Sequence, residues 1–442
     1  MISGNGAVRG IAVVGLGHVG LVTAIGMAEL GWQVWGTDVD EDKLAQIKDG
    51  EMPFFEPGLD DLLKSHLASG RFIPVPDVRF AIASARVVFV CVGTPQGEDG
   101  HADLSYLLSA VKEVAEKRAG DVLIVEKSTV PVLTTRFLAD AVGRIEGRPG
   151  RAEVACNPEF LREGSGLSDF LDPERVVIGV QSDAAGELLL GLYSSLECPK
   201  LVTNTDTAEL IKHASNSFLS TKISFINMIA DLCEATDADV TLVAKGMGLD
   251  PRIGPAFLEA GLGFGGYCFP KDIRASIAVA EQHGVNADLL RAAEQVNLRR
   301  VVRFIDRVEA TIGSLHGATI GVWGLAFKAG TDDVRDSPAL QGVELLLERG
   351  ARVQLHDPQA MGGAAEIFTP DATGVTYAQT PYDAAAGADA VVLLTEWPEY
   401  RRLDMRRLFN MMRRPVIGDG RNLLHPEEVR SFGFEYVSVG RP

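Results

Sequence analysis

Three features of this 442-residue sequence predict an α/β chain with two doubly wound domains joined by a long central helix and a helical region. The first is an apolar run, Gly10 to Val14, that enters the glycine-rich turn Gly15-Leu16-Gly17-His18-Val19-Gly20 and then a helical pattern. The second is the segment from Ala208 to Ala235, which keeps helical periodicity and holds no proline or glycine. The third is the return of short apolar runs near residue 318, which repeat the strand, turn, helix, strand, aspartate plan of the N-terminus.

Residues 10–14 read as a strand buried on both faces, followed by a helix of about 10 residues that stops at Gly31. A second strand, Gln33 to Thr37, ends at Asp38. Apolar runs at 87–92, 122–126 and 152–156 alternate with helical patterns, the signature of a parallel sheet covered on both sides. From Thr207 to about Arg307 strand runs nearly vanish. The long helix there exceeds the usual globular length and suits both a spacer and a dimer surface. Strands resume at Ala318–Trp323, Arg352–His356, Ala390–Thr395 and Pro415–Gly418, with a helix from about Ser337 and a strand ending at Asp357. This predicts a second Rossmann-like domain, without the full glycine fingerprint, for another nucleotide-bearing ligand. The stretch 358–380 reads as a surface loop or short helix. The expected domains are residues 1–205, 206–310 and 311–442.

Composition narrows the function classes. Hydrophobic content of 46% and charge of 23% are those of an ordinary soluble globular protein. A net charge of −18 argues against a nucleic-acid partner but leaves room for a local basic site. The five cysteines, Cys91, Cys156, Cys198, Cys233 and Cys268, are odd in number and lack CxxC spacing. Neither a disulfide framework nor a metal site is indicated, and a reducing cytoplasm fits. Cys91 and Cys156 fall in strand-like runs and read as core. The apolar N-terminal stretch is broken by glycines and leads into a nucleotide motif, so no targeting signal or membrane span is expected.

The turn at Gly15, Gly17 and Gly20 follows a strand, opens a helix, and has Asp38 about 20 residues on, at the end of the next strand. Pyrophosphate would rest at the helix N-terminus, and Asp38 would bind a ribose diol and repel a 2′-phosphate. NAD is therefore the expected cofactor, with Lys43 nearby tempering the choice against NADP.

The stretch Gly263-Phe264-Gly265-Gly266-Tyr267-Cys268-Phe269-Pro270-Lys271-Asp272 places a cysteine between a glycine turn and a helix start. The positive end of a helix favours a thiolate, so Cys268 is the candidate nucleophile; a buried cysteine beside a turn is the plain alternative. Three further segments stand at predicted strand ends: Val92-Gly93-Thr94-Pro95, Glu126-Lys127-Ser128-Thr129-Val130-Pro131, and Asn157-Pro158-Glu159-Phe160-Leu161-Arg162-Glu163-Gly164. On the long helix Lys212 and Asn216 are four residues apart and share a face, a cation and an amide fit to stabilise an oxyanion.

Across nearly the whole chain, Gly15 to Arg421, these motifs resemble the UDP-glucose/GDP-mannose 6-dehydrogenase family. The GFGGYCFPKD, NPEFLREG, ELIKHASNSF and FKAGTDDVRDSP runs carry the resemblance. It implies oxidation of a sugar C6 alcohol to a carboxylate with two NAD+, through a thiohemiacetal and a thioester on Cys268. UDP-glucose is the nearer substrate, and GDP-mannose or a UDP-N-acetylhexosamine the alternative. Lys212 and Asn216 would hold the reacting oxygen, Asp272 would orient water with Thr129 near it, and Glu159 would act in acid–base steps. Cofactor contacts implied are Gly15, Gly17, Gly20, Asp38, Lys43, Thr94, Thr129, Glu163 and Arg335. Substrate contacts implied are Phe160, Leu161, Lys212, Asn216, Arg252, Phe257, Gly265, Lys328 and Arg421. Arg252 would reach a neighbouring subunit's site, which makes a homodimer functional. Loop salt bridges with Asp332, Asp333 or Asp336 are the plain reading of Lys328 and Arg335. The chain departs from some relatives in placing Glu259 and Ala260 where a lysine precedes the cysteine. A simple hydroxyacid dehydrogenase would need no such cysteine and no third domain, and an inactive NAD-binding scaffold would show a damaged site.

Overall fold

The computed structural model of the chain describes residues 10–95, 102–145, 147, 150–370 and 374–442. Its chain divides into two compact units, residues 1–215 and 216–442, and the boundary falls inside one unbroken helix, Thr205–Thr236. Thirty-two residues without proline or glycine span about 48 Å at 1.5 Å per residue. The side chain of Asn204 accepts the Thr207 N–H and caps the start, and Asp237, at φ 59°, ends the helical path.

In the first unit eight strands form one sheet: β1 (Ile11–Val14), β2 (Val34–Thr37), β3 (Phe72–Pro74), β4 (Val87–Val90), β5 (Val122–Glu126), β6 (Ala152–Cys156), β7 (Val176–Gly179) and β8 (Lys200–Thr203). The order is β3-β2-β1-β4-β5-β6-β7-β8. The first six are parallel and doubly wound about β1. β7 pairs antiparallel to β6, and β8 runs with β7, so the sheet is mixed rather than all parallel as the sequence suggested. Strand alternation divides the core. Ile11, Val13, Phe89 and Val125 pack on one face, and Ala12, Val14, Val90 and Ile124 on the other. Burial on both faces is why β1, β4 and β5 are continuous apolar runs.

The second unit holds a six-stranded, all-parallel sheet: β9 (Thr319–Trp323), β10 (Arg352–His356), β11 (Val375–Tyr377), β12 (Ala390–Leu393), β13 (Val416–Asp419) and β14 (Glu435–Ser438). Its order, β11-β10-β9-β12-β13-β14, repeats the doubly wound plan. The stretch 358–380 contains a helix, Met361–Ile367, and also β11, a strand the sequence pattern did not reveal. Helices from the chain's middle share this unit's core. Ile226, Ala230 and Cys233 pack in one cluster with Val301, Phe304, Ile305 and strand residues Ile320 and Val392.

Candidate active site

Strands β1, β2, β4, β5 and β6 end at a common edge of the first sheet, so the residues that follow each strand are brought together there. The glycines of the first turn divide the labour. Gly15 has φ +88°, and a Cβ on it would lie 2.8 Å from the Cys91 carbonyl oxygen. A Cβ on Gly20 would lie 1.8 Å from the Gly15 oxygen, so the helix His18–Glu29 packs against the turn only because side chains are missing. Gly17, the residue just before that helix, faces open space within 4 Å. An open approach to a helix N-terminus is what a dinucleotide pyrophosphate needs, and the residues fit that group. Asp38, at the end of β2, accepts the Leu16 N–H at 2.6 Å, the Asp40 N–H at 3.0 Å and the Lys43 ammonium at 3.3 Å. It therefore builds the turn as well as offering its remaining lone pairs to a ribose. Thr94 donates to the Thr129 carbonyl at 2.9 Å and Ser128 to the Val92 carbonyl at 2.8 Å, which stitches the loops after β4 and β5 together.

Beyond β6 lies the NPEFLREG loop. Lys212 donates to Glu159 Oε1 at 2.9 Å, and both are almost fully buried. The Leu161 N–H donates to Glu159 Oε2 at 2.6 Å. Burial alone would raise the Glu159 carboxyl; the Lys212 ammonium, the Leu161 N–H and the charge of Lys127 outweigh it and hold Glu159 below the ordinary carboxylate range. Glu159 is thus a carboxylate at neutral pH, fit to anchor Lys212 or to accept a proton. Phe160 lies beneath Lys212, 5.5 Å from ammonium to ring centre, and takes the Arg175 guanidinium at 3.8 Å. Two supports of this loop escaped the sequence reading. Glu56, itself buried, accepts the N–H groups of Gly164 and Gly166, each at 2.8 Å, beside Glu163. Lys127 donates to Asn157 Oδ1 at 3.0 Å, where Tyr193 also donates at 2.5 Å, while Asn157 Nδ2 reaches the Val177 carbonyl.

In the second unit Cys268 is the first residue of the helix Cys268–Gln282. Pro270 sits in its first turn, where a missing N–H costs nothing. Asp272, one turn on, shares a face with Cys268 and is 1% exposed. Asn216 donates to Asp272 Oδ2 at 2.6 Å. Asp272 Oδ1 is buried and has no hydrogen-bond partner among the described residues. Ser217 and Ser276 join the same two helices at 3.0 Å.

The glycine turn before Cys268 is fixed from behind. Asn297 accepts the Phe264 N–H at 2.8 Å and donates to the Phe264 carbonyl at 3.0 Å, a pin not evident in the sequence. A Cβ on Gly265 would stand 2.3 Å from the Asp336 carbonyl oxygen, so the loop bearing Lys328 and Arg335 packs directly on the turn. Phe257, at φ 65°, meets Phe269 at 6.2 Å and forms an aromatic wall with it. Arg335 pairs with both oxygens of Asp333, one of the loop salt bridges expected from the sequence, and stacks 4.4 Å over Tyr267. Lys328 lies 5.6 Å over the Phe327 ring. Arg421 sends its guanidinium to the carbonyls of Leu394, Gly263 and Phe327 at 2.8, 3.2 and 2.9 Å. Those bonds bind the glycine turn to the ends of β9 and β12, so Arg421 shapes the site as well as offering charge. Arg252 forks onto Asp250 and is 87% exposed.

Other thiols are poor rivals to Cys268. Burial pushes Cys91 up to about 12 and Cys156 well above its ordinary value, and burial, then Asp239 and Glu234, raises Cys233.

Comparison with known proteins matches three segments of the chain to one family. Residues 9–197 match the NAD binding domain of the UDP-glucose/GDP-mannose dehydrogenase family, residues 206–299 its central domain, and residues 321–426 its UDP binding domain. A UDP-glucose 6-dehydrogenase of Rhizobium meliloti (strain 1021) is 46% identical, over 98% of this chain and 99% of its own. UDP-glucose 6-dehydrogenase TuaD of Bacillus subtilis (strain 168) is 42% identical, over 98% of this chain and 93% of its own. Among solved structures, a UDP-glucose dehydrogenase from the archaeon Pyrobaculum islandicum superposes with a TM-score of 0.92 at 39% identity, over the whole of both chains. A UDP-D-ManNAc dehydrogenase from Pyrococcus horikoshii superposes at 0.84 with 30% identity, over 98% of this chain and 99% of its own. Matched in all three of its segments, the chain belongs to the UDP-glucose/GDP-mannose dehydrogenase family and carries that family's NAD-binding domain.

Proposed function

We propose that this enzyme oxidises UDP-glucose to UDP-glucuronate in two successive steps, with Cys268 as the covalent nucleophile. The observation that carries the reading is the pairing of Cys268, at a helix start, with Asp272, whose Oδ2 is tied by Asn216 and whose Oδ1 is left for a water. UDP-glucose is chosen over UDP-N-acetylhexosamines because relatives named for UDP-glucose reach 46% identity, against 30% for the ManNAc enzyme.

When bound, NAD+ accepts hydride from the sugar C6, twice per substrate, and Gly15, Gly17, Gly20 and Asp38 would hold it. Lys212, fixed by Glu159, places a positive charge for the C6 oxygen as it becomes an alkoxide or oxyanion. Cys268 sulfur adds to the C6 aldehyde, and its proton ends on the former carbonyl oxygen. The resulting thiohemiacetal keeps the aldehyde on the protein until the second oxidation leaves a thioester. Water directed by Asp272 Oδ1 adds to that carbonyl, the C–S bond breaks, and the sulfur takes back a proton. The sum is one alcohol, one water and two NAD+ giving one carboxylate, two NADH and three protons. Lys328, Arg421 and Gly265 form the UDP-sugar side, while Thr94, Thr129, Lys43, Glu163 and Arg335 serve the cofactor, as the family resemblance implies.

With limiting UDP-glucose and excess NAD+, two NADH should form per sugar, followed at 340 nm. One NADH per sugar would overturn the four-electron reading. Turnover only with a UDP-N-acetylhexosamine or GDP-mannose would move the substrate and keep the chemistry.

The enzyme acts as a homodimer through the long helix, in a reducing cytoplasm that suits its free cysteines. Phe218, Phe225 and Leu232 recur at intervals of seven residues and are 66%, 44% and 58% exposed, an apolar stripe that a second copy would cover. Arg252, exposed in this chain, would then serve the partner's site. Phe225→Asp should give a monomer by sedimentation equilibrium and lose most activity. A variant that keeps the wild-type mass, or a monomeric wild type, would remove this interface. Among the described residues no helix is long and apolar enough to cross a membrane.

A further inference from the structure

Tyr267 stands immediately before Cys268, at the N-terminal boundary of the helix Cys268–Gln282. Serine, threonine, aspartate or asparagine is the usual choice at such a position, because a short side chain with an oxygen can accept one of the free N–H groups. The Tyr267 side chain makes no capping bond, so helix formation does not account for a tyrosine there. Its ring is engaged elsewhere. The Arg335 guanidinium lies 4.4 Å and the Lys271 ammonium 5.0 Å from the ring centre, both within reach of a cation–π contact. Lys271 comes from one turn further along the same helix. Arg335 comes from the loop between β9 and the helix Pro338–Glu348.

Backbone contacts dock this loop on the turn before the cysteine. The Gly266 N–H donates to the Arg335 carbonyl at 3.1 Å. A Cβ on Gly266 would stand 2.8 Å from the Phe327 ring, so the two segments meet this closely only because a side chain is missing. These contacts set the Arg335 backbone but do not orient its side chain, which is 55% exposed. The fork onto Asp333 does not tie the guanidinium to the turn either, since Asp333 lies on the same loop two residues earlier. The Tyr267 ring does, and so joins Arg335 to the residue beside the thiol. Burial raises the Tyr267 phenol, Arg335 draws it down, and Cys268 and Asp272 raise it again. The ring is therefore neutral at neutral pH and holds its cations by its π face rather than as a phenolate.

We propose, on the reading that Arg335 serves the cofactor, that Tyr267 is a positioning residue for cofactor binding: its ring holds the Arg335 guanidinium in a fixed place beside Cys268. An arginine that meets the cofactor while docked on the neighbour of the nucleophile keeps the place of NAD+ in register with the place of the sulfur. Tyr267 acts through Arg335 and need touch neither ligand.

The test measures kcat and the KM for NAD+ on the full-length enzyme at saturating UDP-glucose, with UDP-glucose affinity followed by calorimetry. Tyr267→Phe keeps the ring and should stay within about twofold of the wild type. Tyr267→Leu should raise the KM for NAD+ about three- to tenfold, the size of a lost cation–π contact, and leave UDP-glucose affinity within about twofold. Pentafluorophenylalanine in place of Tyr267 keeps a ring of similar shape but removes its negative face. It should reproduce the leucine effect, which a merely structural ring would not, and it keeps the test decisive if the leucine variant folds poorly. Arg335→Gln should itself raise the KM for NAD+, and adding Tyr267→Leu to it should change that KM by less than about twofold, because the group it acts through has gone. A wild-type KM with the fluorinated ring, or an undiminished leucine effect in the Arg335→Gln background, would overturn the proposal alone. A wild-type KM for NAD+ in Arg335→Gln would overturn it together with the assignment of Arg335 to the cofactor.

Discussion

Cys268→Ala should abolish acid formation, with kcat reduced by at least about 10⁴-fold, while NAD+ and UDP-glucose still bind. The size of the loss follows from the division of labour at the helix start. Without sulfur the aldehyde is not held covalently, and a hydrated aldehyde must replace the thiohemiacetal. The fold should survive, because alanine is the best helix former and Cys268 lies only partly within the core. NADH yield should fall to one equivalent per sugar or less, and no glucuronate should appear by anion-exchange chromatography. Cys268→Ser provides the complementary signature. A hydroxyl adds and leaves more slowly than a thiol, so an ester-linked sugar nucleotide should accumulate as added mass on the intact protein. Near-normal acid production by the alanine variant would remove the covalent mechanism, and with it the role given to Asp272.

Much of this was legible in the sequence because the physics behind it is local. Strands β1, β4 and β5 are short apolar runs in a sheet buried on both faces, and the turn at Gly15 carries its own backbone requirements. The long helix announced itself by the absence of breakers over 28 residues, and it starts three residues earlier and ends one residue later than that segment. What stayed hidden depends on distant partners. Strand β8, Lys-Leu-Val-Thr, lies at the sheet edge with Leu201 half exposed, so it lacks the pattern of a buried strand. The reversed direction of β7 rests on a single pairing, Cys156 with Gly179. Glu56 braces a loop 108 residues away, and Asn297 pins a turn 33 residues before it. Arg421 shows the limit most clearly. An arginine invites assignment to a diphosphate, yet three of its donors are spent on carbonyls that only the fold brings near. Arg335 likewise holds Asp333, two residues earlier, whatever else it serves.

Lys212 should show the second largest effect, and a stability change must be separated from it. Lys212→Ala removes the charge that would face the C6 oxygen and should lower kcat by about 10²–10³-fold. It also strands Glu159, a buried carboxylate, without its ammonium partner, at a cost on the order of 3–5 kcal/mol. In the wild type the folded Glu159 titrates below its ordinary range, so its stabilising contribution is complete at neutral pH and is lost as acid protonates it. In the variant burial becomes the stronger influence and pushes the carboxyl upward. The unfolded chain then holds its charge more readily than the folded one, and the variant gains relative stability as pH falls. Urea midpoints at pH 7.5 and pH 5 should therefore converge between the two proteins. Adding Glu159→Gln to the alanine variant should restore most of the stability, since no charge remains to be buried unpaired, yet leave kcat low. Recovery of both quantities together would mean that Lys212 serves only as structural counter-ion to Glu159, and the oxygen at C6 would have to be held by another group.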